Sequence, residues 1–189
     1  MPVLIGICGA GSGSGKTTMA EALLKEASRA GLLDERSPWG VVKFTKTGIY
    51  TSVVTDSSTL LEEGKDTSRM LKAGACRAVW VSSPGGDDLG EALEMAIDEM
   101  RGFSAVLVEG NSAVELLNPN IVIFMSGPVF KSGAESTLRL ADVVYRPTGA
   151  VLPSGPDVFK KDVTFCGEIA SCAAGVLERW QRVRGRGKS

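Results

Sequence analysis

The chain has 189 residues, 43% apolar and 23% charged, with a formal net charge of −1 and no histidine. That length suits one globular domain with a good core, and the near-neutral charge argues against a nucleic-acid-binding protein. The lack of histidine removes imidazole acid–base catalysis and the usual zinc sites. The cysteines, Cys8, Cys76, Cys166 and Cys172, form no Cys-x-x-Cys pair and read as reduced thiols of a cytosolic protein. No signal peptide and no membrane-length apolar run are visible, so a cytoplasmic protein that does not engage membranes is expected.

In chain order, Val3 to Cys8 reads as a buried strand, and Gly9-Ala10-Gly11-Ser12-Gly13-Ser14-Gly15 as a loop. A helix follows from about residue 17 to residue 30, where Gly31 ends it. Strand, Gly-rich loop, Gly-Lys-Thr and helix start is the context of a phosphate-binding loop. Gly11, Ser12, Gly13, Ser14, Gly15, Lys16, Thr17 and Thr18 are the expected nucleotide-binding residues. Their backbone N–H groups and the helix N-terminus would face phosphate oxygens. Lys16 would sit on the β- and γ-phosphates and the Thr17 hydroxyl would ligate Mg²⁺. The expected cofactors are therefore Mg²⁺ with GTP or ATP. In the strict Gly-x4-Gly-Lys-Thr spacing the first glycine falls at Ala10, so either Ala is tolerated there or the loop is one residue longer, counted from Gly9.

Val41 to Thr45 reads as the second strand, followed by a loop carrying Lys46 and Asp56. Hydroxyls are dense from Thr45 to Thr59, which predicts a flexible or ligand-closing segment rather than a packed element. Residues 64–75 read as a short helix, 77–82 as a strand, and 89–100 as an amphipathic helix. Residues 103–110 are an apolar strand ending in Glu109, the Walker-B arrangement, which would bring a carboxylate to Mg²⁺ or to the attacking group. Residues 121–125 are the next strand, closed by Ser126-Gly127-Pro128, where a base pocket is expected. A helix near 132–140, a strand at 143–145, a Pro/Gly-rich connection over 147–157 and a closing helix over 163–183 complete the pattern. Strands alternating with helices predict an α/β fold: one P-loop NTPase domain over 1–189, with a mainly parallel sheet and helices on both faces. A basic, frayed tail is expected from about residue 181; Arg179, Arg182, Arg184, Arg186 and Lys188 supply the charge.

Lys16, Glu109 and Asp66 are the candidate catalytic residues, and Thr17, Glu109 and Asp56 the candidate metal ligands. Asp66 reads equally as a helix N-cap, Asp56 as a loop acid, and Lys46 as an exposed strand-end lysine or a contact for an anionic acceptor. Cys166 and Cys172 are placed on different sides of one helix, with no role. The guanine-reading Asn-Lys-x-Asp motif is absent.

The phosphate loop, Lys43-Phe44-Thr45-Lys46, Gly64-Lys65-Asp66-Thr67-Ser68 with Leu71-Lys72-Ala73-Gly74-Ala75, and Leu107-Val108-Glu109-Gly110 occur in one order. In this the chain resembles the molybdopterin-guanine dinucleotide biosynthesis protein B (MobB-like) family over residues 3–125. The resemblance implies a GTP-binding accessory protein with weak hydrolysis. It also implies a homodimer that serves a nucleotidyltransferase partner in molybdenum cofactor biosynthesis. The family's Lys-His-Thr-His stretch is replaced here by Lys-Phe-Thr-Lys. The longer loop spacing and Val-Glu-Gly also look like dethiobiotin synthetase, which implies an ATP-dependent ligase or kinase acting on a carboxylate or carbamate. A third reading, a metallocofactor-insertion GTPase, lacks a Cys/His metal motif.

Overall fold

The computed structural model describes residues 1–154 and 158–186. The elements are β1 (Val3–Gly9), α1 (Lys16–Arg29), β2 (Trp39–Lys46), β3 (Ser52–Val54), α2 (Ser57–Leu60), α3 (Asp66–Lys72), β4 (Arg77–Ser83), α4 (Asp87–Asp98), β5 (Ala105–Glu109), α5 (Asn111–Leu117), β6 (Ile121–Met125), α6 (Glu135–Arg139), β7 (Val143–Tyr145), β8 (Thr164–Cys166) and α7 (Ile169–Arg186). The strands form one sheet in the order β3-β4-β2-β5-β1-β6-β7-β8. Only β3 runs antiparallel to its neighbour among these strands. This is the expected α/β architecture.

The helices divide between the two faces because strand side chains alternate. Ile5 and Ile7 of β1, Trp39 and Val41 of β2 and Leu107 of β5 face α1, α3 and α7 in one core, with Met19, Leu23, Met70, Val176 and Trp180. Val42, Phe44, Val106 and Val108 point the other way, toward Leu89, Leu93 and Ala96 of α4. Cys8, Val122, Phe124 and Val144 complete that face with Val114 of α5 and Leu138 of α6. β1 is central, hydrogen-bonded to β5 on one side and β6 on the other. The loop after β1 therefore opens at the carboxyl end of the sheet where the chain passes from one side to the other, the place where such sheets take ligands.

Several expectations need correcting. The hydroxyl-rich stretch after β2 is not wholly loop: Ser52–Val54 pair with β4, Ser52 bonding Ser82 through their hydroxyls at 2.8 Å, and Ser57–Leu60 form a helical turn. The closing helix begins at Ile169, not at residue 163. Thr164–Cys166 instead pair in parallel with β7, at the sheet edge. Cys166 therefore lies on a strand and Cys172 on a helix, and the two are joined in a disulfide, contrary to the reading of four reduced thiols. Cys8 and Cys76 are free, one buried and one exposed. The basic stretch is helical through Arg186. Arg184 lies 5.0 Å over the Trp180 ring and donates to the Ser37 hydroxyl at 3.1 Å, so this part is docked rather than frayed. Lys188 and residues 155–157 of the Pro/Gly connection lie outside the described residues. No described helix is long and apolar enough to cross a membrane.

Candidate functional site

The loop between β1 and α1 is shaped by backbone crowding. Gly15, at the helix N-cap, has φ 88°, a conformation open to glycine at little cost. A Cβ on Gly9 would lie 2.5 Å from the Ser14 hydroxyl and 2.7 Å from the Met125 carbonyl, whereas the Ala10 side chain is buried in the core. The position that must be glycine is therefore Gly9, and the longer count of the loop is the one the packing requires. Asn111, the first residue of α5, holds this point from the side. Its amide accepts from Gly9 N–H and donates to Gly9 C=O, each at 3.0 Å. Lys131 N–H bonds the Ala10 carbonyl at 3.0 Å, so the segment after Ser126-Gly127-Pro128 lies against the loop. Ser126 itself donates its hydroxyl to the Tyr145 carbonyl.

Lys16 folds back over the loop, donating to the Gly11 carbonyl at 2.7 Å and to the Ser14 hydroxyl at 3.3 Å. Burial pulls its pKa below the ordinary lysine value, against the opposing pull of Glu109. Thr17, the next residue, donates its hydroxyl to Glu109 Oε2 at 3.1 Å. Glu109 ends β5 beside the loop and is 2% exposed.

Lys43 is the residue that sequence reasoning passed over. It stands in register with Glu109 on the adjacent strand. Its ammonium donates to Glu109 Oε1 and reaches Asp66 Oδ2 at 2.8 Å. Burial works to lower the Lys43 pKa, but the two carboxylates outweigh it and the net shift is upward. For Asp66, burial works upward and the Lys43 bond and charge, with the Thr17 hydroxyl, carry it below the usual carboxylate range. Asp66 is thus the first residue of α3 rather than its cap; Lys65 occupies the N-cap. The sequence did hold a signal for Lys43: a charge inside the apolar run Val41-Val42-Lys43-Phe44 needs a buried partner.

Together Ser12, Gly13, Gly15, Lys16, Thr17, Thr18, Lys43, Asp66, Arg69 and Glu109 line one cleft of ≈ 380 Å³. Arg69 forms a two-point pair with Glu21 of α1 at 3.0 and 2.9 Å, tying α3 to the helix that follows the glycine-rich loop. Asp56 is placed elsewhere. Its exposed carboxylate caps α2, accepting from the Ser58 hydroxyl and from Thr59 N–H and hydroxyl. These bonds hold it below the usual carboxylate range. Lys46 is exposed at the end of β2. The Thr17 hydroxyl and the carboxylates of Glu109 and Asp66 are hard oxygen donors gathered at one point, the chemistry Mg²⁺ requires.

No protein-family model matches the chain, and no curated relative matches it. Among solved structures it is similar to HypB from Helicobacter pylori in complex with nickel. The identity is 15% and the TM-score 0.56, over 97% of this chain and 89% of that one. A Zn(II)-bound triple mutant of the YjiA GTPase aligns at 15% identity and a TM-score of 0.38, over 95% of this chain and 54% of that one. The likeness to HypB supports the P-loop NTPase fold.

Proposed function

We propose that this chain is a Mg²⁺-dependent nucleotide-binding protein of the P-loop class, preferring GTP, with an accessory role of the MobB type and slow hydrolysis. The observation that carries the reading is the convergence on one cleft of Lys16 and Thr17 from the loop, Glu109 from β5, and Lys43 and Asp66. Lys43 and Asp66 come from two of the four motifs in which the chain resembles the MobB-like family. Four separate stretches of sequence meet at one point, and that is what a phosphate site with its own charge balance needs.

The backbone N–H groups of the loop and the start of α1 would bind the phosphates. Lys16, now folded on Gly11 and Ser14, would turn outward to the β- and γ-phosphates as a compact charge. Thr17 and Glu109, with Asp66 beside them, would hold the metal; Asp56 stays at its helix cap. Bound Mg²⁺ would neutralise charge on the phosphate oxygens. The work of this chain's residues is positioning and charge compensation. Service to a nucleotidyltransferase, and a homodimer, belong to this same reading.

The ATP-dependent ligase or kinase reading is supported by the longer loop count, since Gly9 is the glycine the packing demands. Calorimetric titration with GTP and with ATP in Mg²⁺ separates the two. Tighter binding of GTP with little turnover supports the accessory role; preference for ATP supports the other. Lys16→Ala should abolish binding, and retained affinity for both nucleotides would overturn the proposal. Glu109→Gln should keep binding and lose turnover.

A further inference from the structure

The basic face of α7 lies over a second cavity, outside the phosphate cleft. Arg179, Arg182 and Arg186 are spaced to share one side of the helix. They line a cavity of ≈ 230 Å³ with Asn120, Asp142 and Asp162. Its floor is the start of β6 at Ile121 and the residues that lead into β7 and β8. This is the amino end of the parallel strands, opposite the nucleotide loop.

Three arginines and two aspartates line it. Asp142 is committed: it accepts from Lys160 Nζ at 2.7 Å and from Val122 N–H at 2.8 Å. Arg179 bonds the Asp162 carbonyl at 3.2 Å and the Thr164 hydroxyl at 2.9 Å, both neutral groups. Arg182 bonds the Glu178 carbonyl of its own helix at 3.3 Å. Neither guanidinium forms an ion pair among the described residues. The Asn120 side-chain oxygen accepts from Leu4 N–H at 2.8 Å. A guanidinium fork fits tetrahedral and planar oxyanions with paired bonds.

We infer that this cavity is a second oxyanion site, built for a phosphate monoester or a comparable doubly charged oxyanion, and independent of the nucleotide loop. It accounts for the clustered arginines of α7, which the nucleotide site does not use.

The test uses full-length Lys16→Ala protein, so that anion binding at the loop is removed, and inorganic phosphate as the probe. Thermal unfolding is followed against chloride at equal ionic strength. Phosphate at about ten times its Kd should raise Tm by about 3–6 °C and saturate. Arg182→Gln on the same background touches one hydrogen bond to its own helix and should fold. It should weaken phosphate at least about tenfold. Loss of the phosphate response in Lys16→Ala, a response equal to that of chloride, or an unchanged affinity in Arg182→Gln overturns the second site. The first of these outcomes leaves the nucleotide reading standing.

Discussion

Lys43→Met tests the charge balance of the cleft directly. Methionine keeps the volume and most of the stem, so packing against β2 changes little. What is lost is the ammonium between Glu109 and Asp66. Asp66 is 38% exposed and solvent can compensate it, so its share is small. Glu109 is 2% exposed and keeps the Thr17 hydroxyl as its hydrogen-bond donor, with the Lys16 charge nearby. Leaving one buried charge without its partner costs about 3–5 kcal/mol, and the lower end applies because the cleft is open on one side. At about 2–4 °C per kcal/mol for a chain of this size, Tm should fall by about 6–12 °C. Mg²⁺ should then restore more stability to the variant than to the wild type, because the metal meets carboxylates that no ammonium holds. At Mg²⁺ ten times its Kd the gain is about 1.4 kcal/mol. The assay is thermal unfolding of both proteins, without nucleotide, in EDTA and in Mg²⁺. The variant should also be rescued in part by Glu109→Gln, as coupled pairs are. A Tm within about 1 °C of wild type, or an equal Mg²⁺ shift in both proteins, would refute the reasoning. The pH signature has a definite sign. The folded pKa of Asp66 is lowered, so its contribution is present above the ordinary carboxylate value of about 3.9 and is lost as pH falls through the lower folded value. That of Lys43 is raised, so its contribution is present below about 10.4 and is lost as pH rises through the higher folded value. The difference between wild type and Lys43→Met should be flat between these limits and shrink outside them.

Three further outcomes follow from the geometry. Gly9→Ala should destroy nucleotide binding in calorimetry, because its Cβ would meet the Met125 carbonyl at 2.7 Å, while Ala10→Gly should retain it. The reverse pattern would restore the shorter count of the loop. Asn111→Ala removes both bonds to Gly9 and should cost about 2 kcal/mol, read as a Tm loss of about 4–8 °C with weaker nucleotide affinity; an unchanged affinity would deny it a part in holding the loop. Native protein treated with a disulfide-exchange reagent at pH 8 should give one fast thiol, Cys76. Cys8 should react only on unfolding, since burial pushes its pKa up to about 12. Two further fast thiols would mean that Cys166 and Cys172 are not paired.

The legible part of this fold was the part with strong periodicity or obligatory glycine. β1, the loop, α1, β5 and β6 stand within a residue or two of where apolar runs and Gly-Lys-Thr put them, because buried parallel strands must be apolar on both faces. The short edge elements were not legible. β8 has three residues and leaves Phe165 47% exposed, so it carries neither alternation nor a core signal, and the helix pattern of α7 absorbed it. The disulfide was hidden for the same reason. Once Thr164–Cys166 is placed beside β7, Cys166 lies across from Cys172 on α7, a proximity that six residues of sequence separation on one helix would not give.

The acids of the cleft show a different limit. Composition and spacing could nominate Glu109, Asp66 and Asp56 alike, since each follows or opens an element. What separates them is register. β2 and β5 are neighbours in the sheet although β3 and β4 lie between them in sequence, and that adjacency sets Lys43 opposite Glu109. α3 returns over the same edge and delivers Asp66 to the other side of the ammonium. Asp56, on the far side of β3 in sequence, is taken up by the open N–H and hydroxyls at the start of α2. A lysine inside a buried strand is costly unless a carboxylate meets it. Lys43 therefore demands an acid from a neighbouring strand, and the apolar strand that ends in Glu109 can supply one. Treated as that demand for a partner, a single charge points to the β2–β5 pairing from sequence. It also gives Glu109 two roles, since the carboxylate that would ligate the metal is the one that holds Lys43 in place.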